Sequence, residues 1–210
     1  MTALSTRELL AQGPVIPIVV IDDAAQATDL AQALIAGGLR VIEVTLRTAD
    51  ALAAVRAIAR EVPEAIVGVG TAVRPDQLEQ ALDAGAQFAV SPGFTLALVE
   101  KARDLGLPLL PGAATASEML VAMALGIEEL KFFPADAVGG TAALRHYGSV
   151  FPQLRFCPTG GITYEGSRAY LELDNVACVG GSWVASRKSI AAGDFDEITA
   201  QAKRAQALRH

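Results

Sequence analysis

Eight times along the chain, a run of about six strand-forming apolar residues is followed by an Ala/Leu-rich stretch with helical spacing. The runs cover residues 15–21, 41–47, 65–71, 88–93, 107–113, 129–135, 155–161 and 176–183, and they start about 19 to 26 residues apart. They are nearly continuous in apolar residues, as parallel strands covered on both faces are. Parallel neighbours need crossover segments, which the helical stretches supply. The pattern predicts an α/β fold, a single (β/α)8 TIM barrel spanning residues 1–210 as one domain. The rival is an open doubly wound sheet, which often carries a Gly-x-Gly-x-x-Gly turn after its first strand. Here that strand ends in Ile21-Asp22-Asp23 with no such turn.

Helix punctuation agrees with the repeat. Ser5-x-x-Glu8 and Thr115-x-x-Glu118 have capping-box spacing, and Pro75 suits a first helical turn. Gly37-Gly38, Gly85 and Gly106 follow helical stretches, where a left-handed C-cap favours glycine. Residues 5–12 read as an extra N-terminal helix and residues 194–208 as a closing one.

Composition narrows the function classes. The net charge is −6 with no Lys/Arg block, which argues against nucleic acid or an anionic membrane as partner. No apolar run approaches the ~20 residues of a membrane span. The N-terminus lacks the basic-then-apolar order of a secretory signal, so a cytoplasmic protein is expected. Cys157 and Cys178 sit in apolar runs and read as buried, unpaired thiols. His146 and His210 are isolated, so no metal site and no cofactor are expected.

In a barrel of this kind chemistry sits at the C-terminal strand ends. In Val41-Ile42-Glu43-Val44-Thr45-Leu46-Arg47, alternation turns Glu43, Thr45 and Arg47 to one face. An inward Glu and Arg are either a structural ion pair or a functional pair. In Lys131-Phe132-Phe133-Pro134-Ala135, Lys131 shares a face with Phe133. An ordinary lysine is neutral about once in 2,500 at pH 7. Burial beside aromatic rings disfavours the ammonium, and only the neutral amine attacks a carbonyl. The alternative is a lysine whose head reaches solvent. The last two strands end in glycine pairs, Thr159-Gly160-Gly161 and Gly180-Gly181-Ser182, where barrels often bind phosphate. Thr71 and Pro92 end the third and fourth strands at the same mouth. From the residues alone, the set suits an imine-forming enzyme acting on a small phosphorylated keto compound.

These stretches, together with Val67-Gly68-Val69-Gly70-Thr71, Arg155-Phe156-Cys157-Pro158-Thr159-Gly160-Gly161-Ile162 and Gly180-Gly181-Ser182-Trp183, resemble the 2-keto-3-deoxy-6-phosphogluconate/2-keto-4-hydroxyglutarate (KDPG/KHG) aldolases over nearly the whole chain. The resemblance implies a class I aldolase releasing pyruvate. It implies that Lys131 forms the Schiff base and Glu43 is the acid/base. Arg47 and Thr71 would hold the pyruvyl carboxylate, and Pro92 and Phe133 would line the pocket. Thr159, Gly160, Gly161, Gly180, Gly181 and Ser182 would face the phosphate. It also implies a homotrimer, which fits the mean hydropathy of +0.38. The competing expectations are an aldolase for the C4-epimeric phosphogalactonate substrate and a non-catalytic sugar-acid-binding barrel.

Overall fold

The computed structural model describes residues 4–208. Each of the eight runs contains strand. In order these are β1 (Val15–Val19), β2 (Val41–Thr45), β3 (Ile66–Gly70), β4 (Ala89–Val90), β5 (Leu109–Leu110), β6 (Gly112–Ala113), β7 (Glu129–Phe132), β8 (Arg155–Pro158) and β9 (Val179–Gly181). The ninth strand arises because the fifth run is broken at Pro111, whose ring nitrogen has no hydrogen to donate to a ladder. The Pro111 carbonyl still accepts from the Lys131 N–H at 2.9 Å.

All strand pairs are parallel. Six strands form a curled sheet in the order β5-β4-β3-β2-β1-β9, and β6-β7-β8 form a second. Single bridges, Phe156 with Val176 and Thr159 with Gly180, connect β8 to the β9 segment. The architecture is therefore the expected α/β arrangement of parallel strands, divided between two hydrogen-bonded sheets where the repeat pattern alone predicts one.

Period-two alternation sorts the strand side chains into two apolar layers. Ile42, Val44, Val67 and Val69 pack outward on Leu30, Leu34, Val55, Ile58 and Leu78 of the helices α2 (Ala27–Ala36), α3 (Ala51–Glu61) and α4 (Pro75–Asp83). Ile16, Val41, Ile66, Phe88, Val90, Leu110, Cys157 and Cys178 form the other layer, inside. Leu9 and Leu10 of helix α1 (Thr6–Leu10) join this inner layer at the strand beginnings. The expected N-terminal helix thus covers the end of the molecule opposite the strand C-termini. Its capping box forms between Ser5 and Glu8, and Arg7 pairs with Glu128 and Glu129 beside the start of β7.

The remaining α-helices are α5 (Leu96–Asp104), α6 (Ala116–Ala124), α7 (Gly140–Val150), α8 (Tyr164–Leu171), α9 (Arg187–Ala191) and α10 (Phe195–Gln206), and the remaining punctuation largely follows the expected chemistry. Thr115 and Glu118 cap α6 reciprocally, and Pro75 opens α4. Gly38, Gly85 and Gly106 are left-handed, at φ of +91°, +92° and +62°. Gly37 departs from that expectation, with an ordinary right-handed φ of −84°. It is small because α10 crosses there: a Cβ on Gly37 would stand 2.2 Å from that of Ala202. The helix expected over residues 194–208 is α10, with the Asp194 side chain accepting from the Glu197 N–H.

Candidate active site

Glu43 lies midway along β2 and Lys131 midway along β7, 88 residues apart in the chain. Their side chains meet. Lys131 Nζ donates to Glu43 Oε1 at 3.2 Å, with the two side chains 8% and 4% exposed. Lys131 Nζ also stands 5.4 Å from the Phe133 ring centroid. Phe132, on the opposite face, packs edge-on against Tyr147 and Phe156. The lysine head is buried rather than reaching solvent. Removing two charges from water costs several kcal/mol per ion unless they pair, and each supplies the other's partner.

Small residues on the adjoining strands make the room. Gly68 leaves space for the Phe88 ring, and Gly70 for the carboxylate of Glu43. Gly112, in register with Lys131, lets the Pro92 carbonyl approach. A Cβ on Gly112 would meet that oxygen at 2.1 Å. Pro92 therefore stands one strand from the lysine.

The expected common direction of Glu43, Thr45 and Arg47 needs correction. Strand β2 ends at Thr45, whose hydroxyl donates to the Val19 carbonyl at 3.1 Å and so serves the backbone. Arg47 lies in the following turn, exposed, so strict alternation no longer governs it. It still reaches Thr71, donating from Nε to Thr71 Oγ1 at 3.2 Å. Among the described residues no carboxylate is within ion-pair distance of Arg47. A planar guanidinium without an acidic partner suits an incoming carboxylate, which it can bind bidentately.

The two glycine pairs differ in kind. Gly160 and Gly161 form a left-handed turn, at φ of +100° and +80°, ahead of helix α8 (Tyr164–Leu171). The Phe133 ring lies against Gly160, and the Asp136 side chain lies against Gly161. Gly180 and Gly181 instead belong to β9 and have no positive φ. Gly180 is small because the buried Thr159 hydroxyl and Ile18 occupy the space a side chain would take. Ser182 is exposed just beyond the strand. Lys131, Glu43 and Phe133 thus come together with Pro92 one strand away, while Thr71, bonded to Arg47, sits one residue beyond Gly70.

Sequence reasoning missed Asp136, the Ile18 contact and the spatial roles of Gly70 and Gly112. The alternating Val67-Gly68-Val69-Gly70 was the readable signal, since two same-face glycines within a strand imply that something large crosses them. Cys157 and Cys178 are free and buried. A hydrogen bond with Cys157, together with burial, pushes the Cys178 thiol well up. His146 is exposed, and His210 lies outside the described residues. Among the described residues, no three His, Cys, Asp or Glu side chains are arranged to hold a metal ion. No helix among them is long and apolar enough to cross a membrane. A cavity of about 530 Å³ is lined by Leu9, Ile66 and Phe88 near α1, and neither Glu43 nor Lys131 lines it.

The chain is similar to known proteins over nearly its whole length. The family model described as KDPG and KHG aldolase matches residues 6–201. The KHG/KDPG aldolase of Escherichia coli strain K12 is 50% identical over 201 residues, covering 96% of this chain and 94% of the relative. The crystal structure of the Zymomonas mobilis 2-keto-3-deoxy-6-phosphogluconate aldolase has a TM-score of 0.94 at 46% identity, covering 99% of this chain and 98% of that one. The Legionella pneumophila KDPG aldolase, crystallised with pyruvate captured at low pH as a covalent carbinolamine, has a TM-score of 0.93 at 42% identity, covering 95% and 97%. With matches of this extent, the chain belongs to the KDPG and KHG aldolase family of carbon–carbon lyases.

Proposed function

We propose that this chain is a Schiff-base aldolase. Its substrate is 2-keto-3-deoxy-6-phosphogluconate, cleaved to pyruvate and glyceraldehyde 3-phosphate, with 2-keto-4-hydroxyglutarate, cleaved to pyruvate and glyoxylate, as a second. The observation that carries the reading is the buried contact of Lys131 Nζ with Glu43 Oε1 at 3.2 Å. The carbinolamine captured in the Legionella relative supports it.

Neutral Lys131 attacks the C2 ketone, and loss of water gives a protonated imine. Glu43, directly or through a water, takes the proton of the C4 hydroxyl. The C3–C4 bond breaks, its electron pair passes to the iminium as an enamine, and the aldehyde leaves. Glu43 returns the proton to C3, and water hydrolyses the imine to release pyruvate and the free amine. One carboxylate serves both proton steps because it holds the proton between them. Arg47 and Thr71 hold the pyruvyl carboxylate, with Pro92 and Phe133 against its apolar side. The Gly160-Gly161 turn with Thr159, and the Gly180-Gly181-Ser182 segment, face the phosphate.

The reading includes closure of the sheets into one eight-stranded (β/α)8 barrel. Strands β5 and β6 then count as one strand broken at Pro111, and the two single bridges join β8 to β9. It also includes a homotrimer, for which the exposed Leu96, Leu120 and Val121 supply apolar surface.

The test is borohydride reduction after incubation with pyruvate, followed by mass spectrometry of the digested protein. The expected result is a pyruvyl adduct confined to the peptide carrying Lys131 and lost in Lys131→Ala, which is also inactive. An active Lys131→Ala variant would sink the reading. Glu43→Gln is expected to slow exchange of the pyruvate methyl protons with solvent.

A further inference from the structure

Gly70 is the last residue of β3, and no backbone requirement explains it. Its φ is not positive, and a glycine inside a strand loses more conformational freedom on folding than any other residue. What explains it is what stands over its Cα. A Cβ there would lie 2.1 Å from Glu43 Oε1 and 2.7 Å from both Cδ and Cγ of the same side chain. Three atoms of one residue fill the volume that any other amino acid would occupy.

The strand register accounts for the approach. Glu43 is paired with Gly68, and Thr45 with Gly70. The Glu43 side chain therefore leans diagonally along the sheet, over the pair ahead of its own, as inward side chains on strands lean along the strand. That lean ends with Oε1 at 3.2 Å from Lys131 Nζ. Glu43 is 3% exposed, so it has little room to swing aside without leaving that contact. We propose that Gly70 is a positioning residue: its missing side chain is the slot that seats the Glu43 carboxylate against Lys131.

The proposal rests on the acid/base reading of Glu43, and the test separates the two. In Gly70→Ala the carboxylate is displaced by an ångström or more, and a misplacement of that size costs about 100-fold in a proton-transfer step. Exchange of the pyruvate methyl protons should fall by that factor. Borohydride-trapped adduct at saturating pyruvate should still form on Lys131, and the loss should appear in kcat rather than KM. A merely structural glycine would not separate these readouts. Wild-type exchange in Gly70→Ala overturns the proposal and leaves the role of Glu43 untouched. Wild-type exchange in Glu43→Gln overturns the acid/base reading itself.

A second variant covers the case in which Gly70→Ala folds poorly. The same substitution in a Glu43→Ala background no longer meets the Glu43 Oε1, Cδ and Cγ atoms. The thermal midpoint should then be unchanged or raised relative to Glu43→Ala alone, so that the two substitutions are strongly non-additive. If Gly70→Ala lowers the midpoint equally in both backgrounds, the glycine serves something other than Glu43 and the proposal fails.

Discussion

Thr71 is the one non-glycine residue with a positive φ among the described residues, at +62°. The left-handed conformation costs an L-residue about 1–2 kcal/mol, and strain of this kind collects at functional sites. Here it presents the Thr71 hydroxyl to Arg47 Nε. Thr71→Gly should relieve the strain, leaving the thermal midpoint unchanged or slightly raised, while Arg47 loses its partner. The expected outcome is a several-fold higher KM for the keto acid, with trapping on Lys131 still complete at saturating pyruvate. Melting curves and steady-state kinetics check this. A lower midpoint with an unaltered KM would exclude it. Residue types were legible in the sequence: Glu43 and Lys131 could be singled out by polarity within apolar strands, and Arg47 and Thr71 by polarity just past strand ends. The Arg47–Thr71 contact was not, because a turn after Thr45 takes Arg47 out of the alternation that sequence reasoning extends to it.

At the scale of elements, local chemistry decides the helix starts. The Glu118 carboxylate accepts from the N–H groups of Ala114 and Thr115 and from the Thr115 hydroxyl. Burial pushes its carboxyl up, but these hydrogen bonds outweigh that and hold it below the usual carboxylate range. A carboxyl depressed in the folded state stabilises it above the ordinary carboxylate range. That contribution is lost as pH falls through the depressed value. Glu118→Gln should therefore melt earlier than the wild type near neutrality, and the gap should close as pH drops into the acid range. Thermal melts of both proteins across that range test it, and parallel curves would exclude the linkage. The caps were legible because they are i, i+3 patterns. Gly37 was misread, because its reason lies in α10, more than 160 residues away.

At the scale of the whole molecule, helix α1 caps the inner apolar layer at the strand beginnings, and the reactive pair lies further along the strands. Leu10, 1% exposed on α1, seals the layer formed by Ile16, Val41, Ile66 and Phe88. Truncating a buried leucine costs about 2–5 kcal/mol, depending on how far the site collapses. Leu10→Ala should lower the denaturant midpoint accordingly. The rate of adduct formation on Lys131 should stay unchanged under native conditions, since α1 packs on the inner layer through Leu9 and Leu10 and not on the reactive pair. A variant as stable as wild type, or one with slowed adduct formation, would contradict this separation. Denaturant titration and time-resolved borohydride trapping measure the two effects.

The sequence by itself determined the elements and their chemistry. Periodicity marks each strand-and-helix unit, caps and glycines mark many of the ends, and polar residues within or just past apolar strands mark the candidate site. All of these are local, set by backbone sterics and by hydrogen bonds between near neighbours. Only the tertiary structure decided which residues touch. It brought Lys131 from β7 onto Glu43 from β2, laid Glu43 across Gly70, and broke the fifth strand into two sheets at Pro111. Those outcomes depend on register and on the volume that neighbouring strands leave empty. No residue carries that information alone, because the space beside a side chain is defined by other segments of the chain.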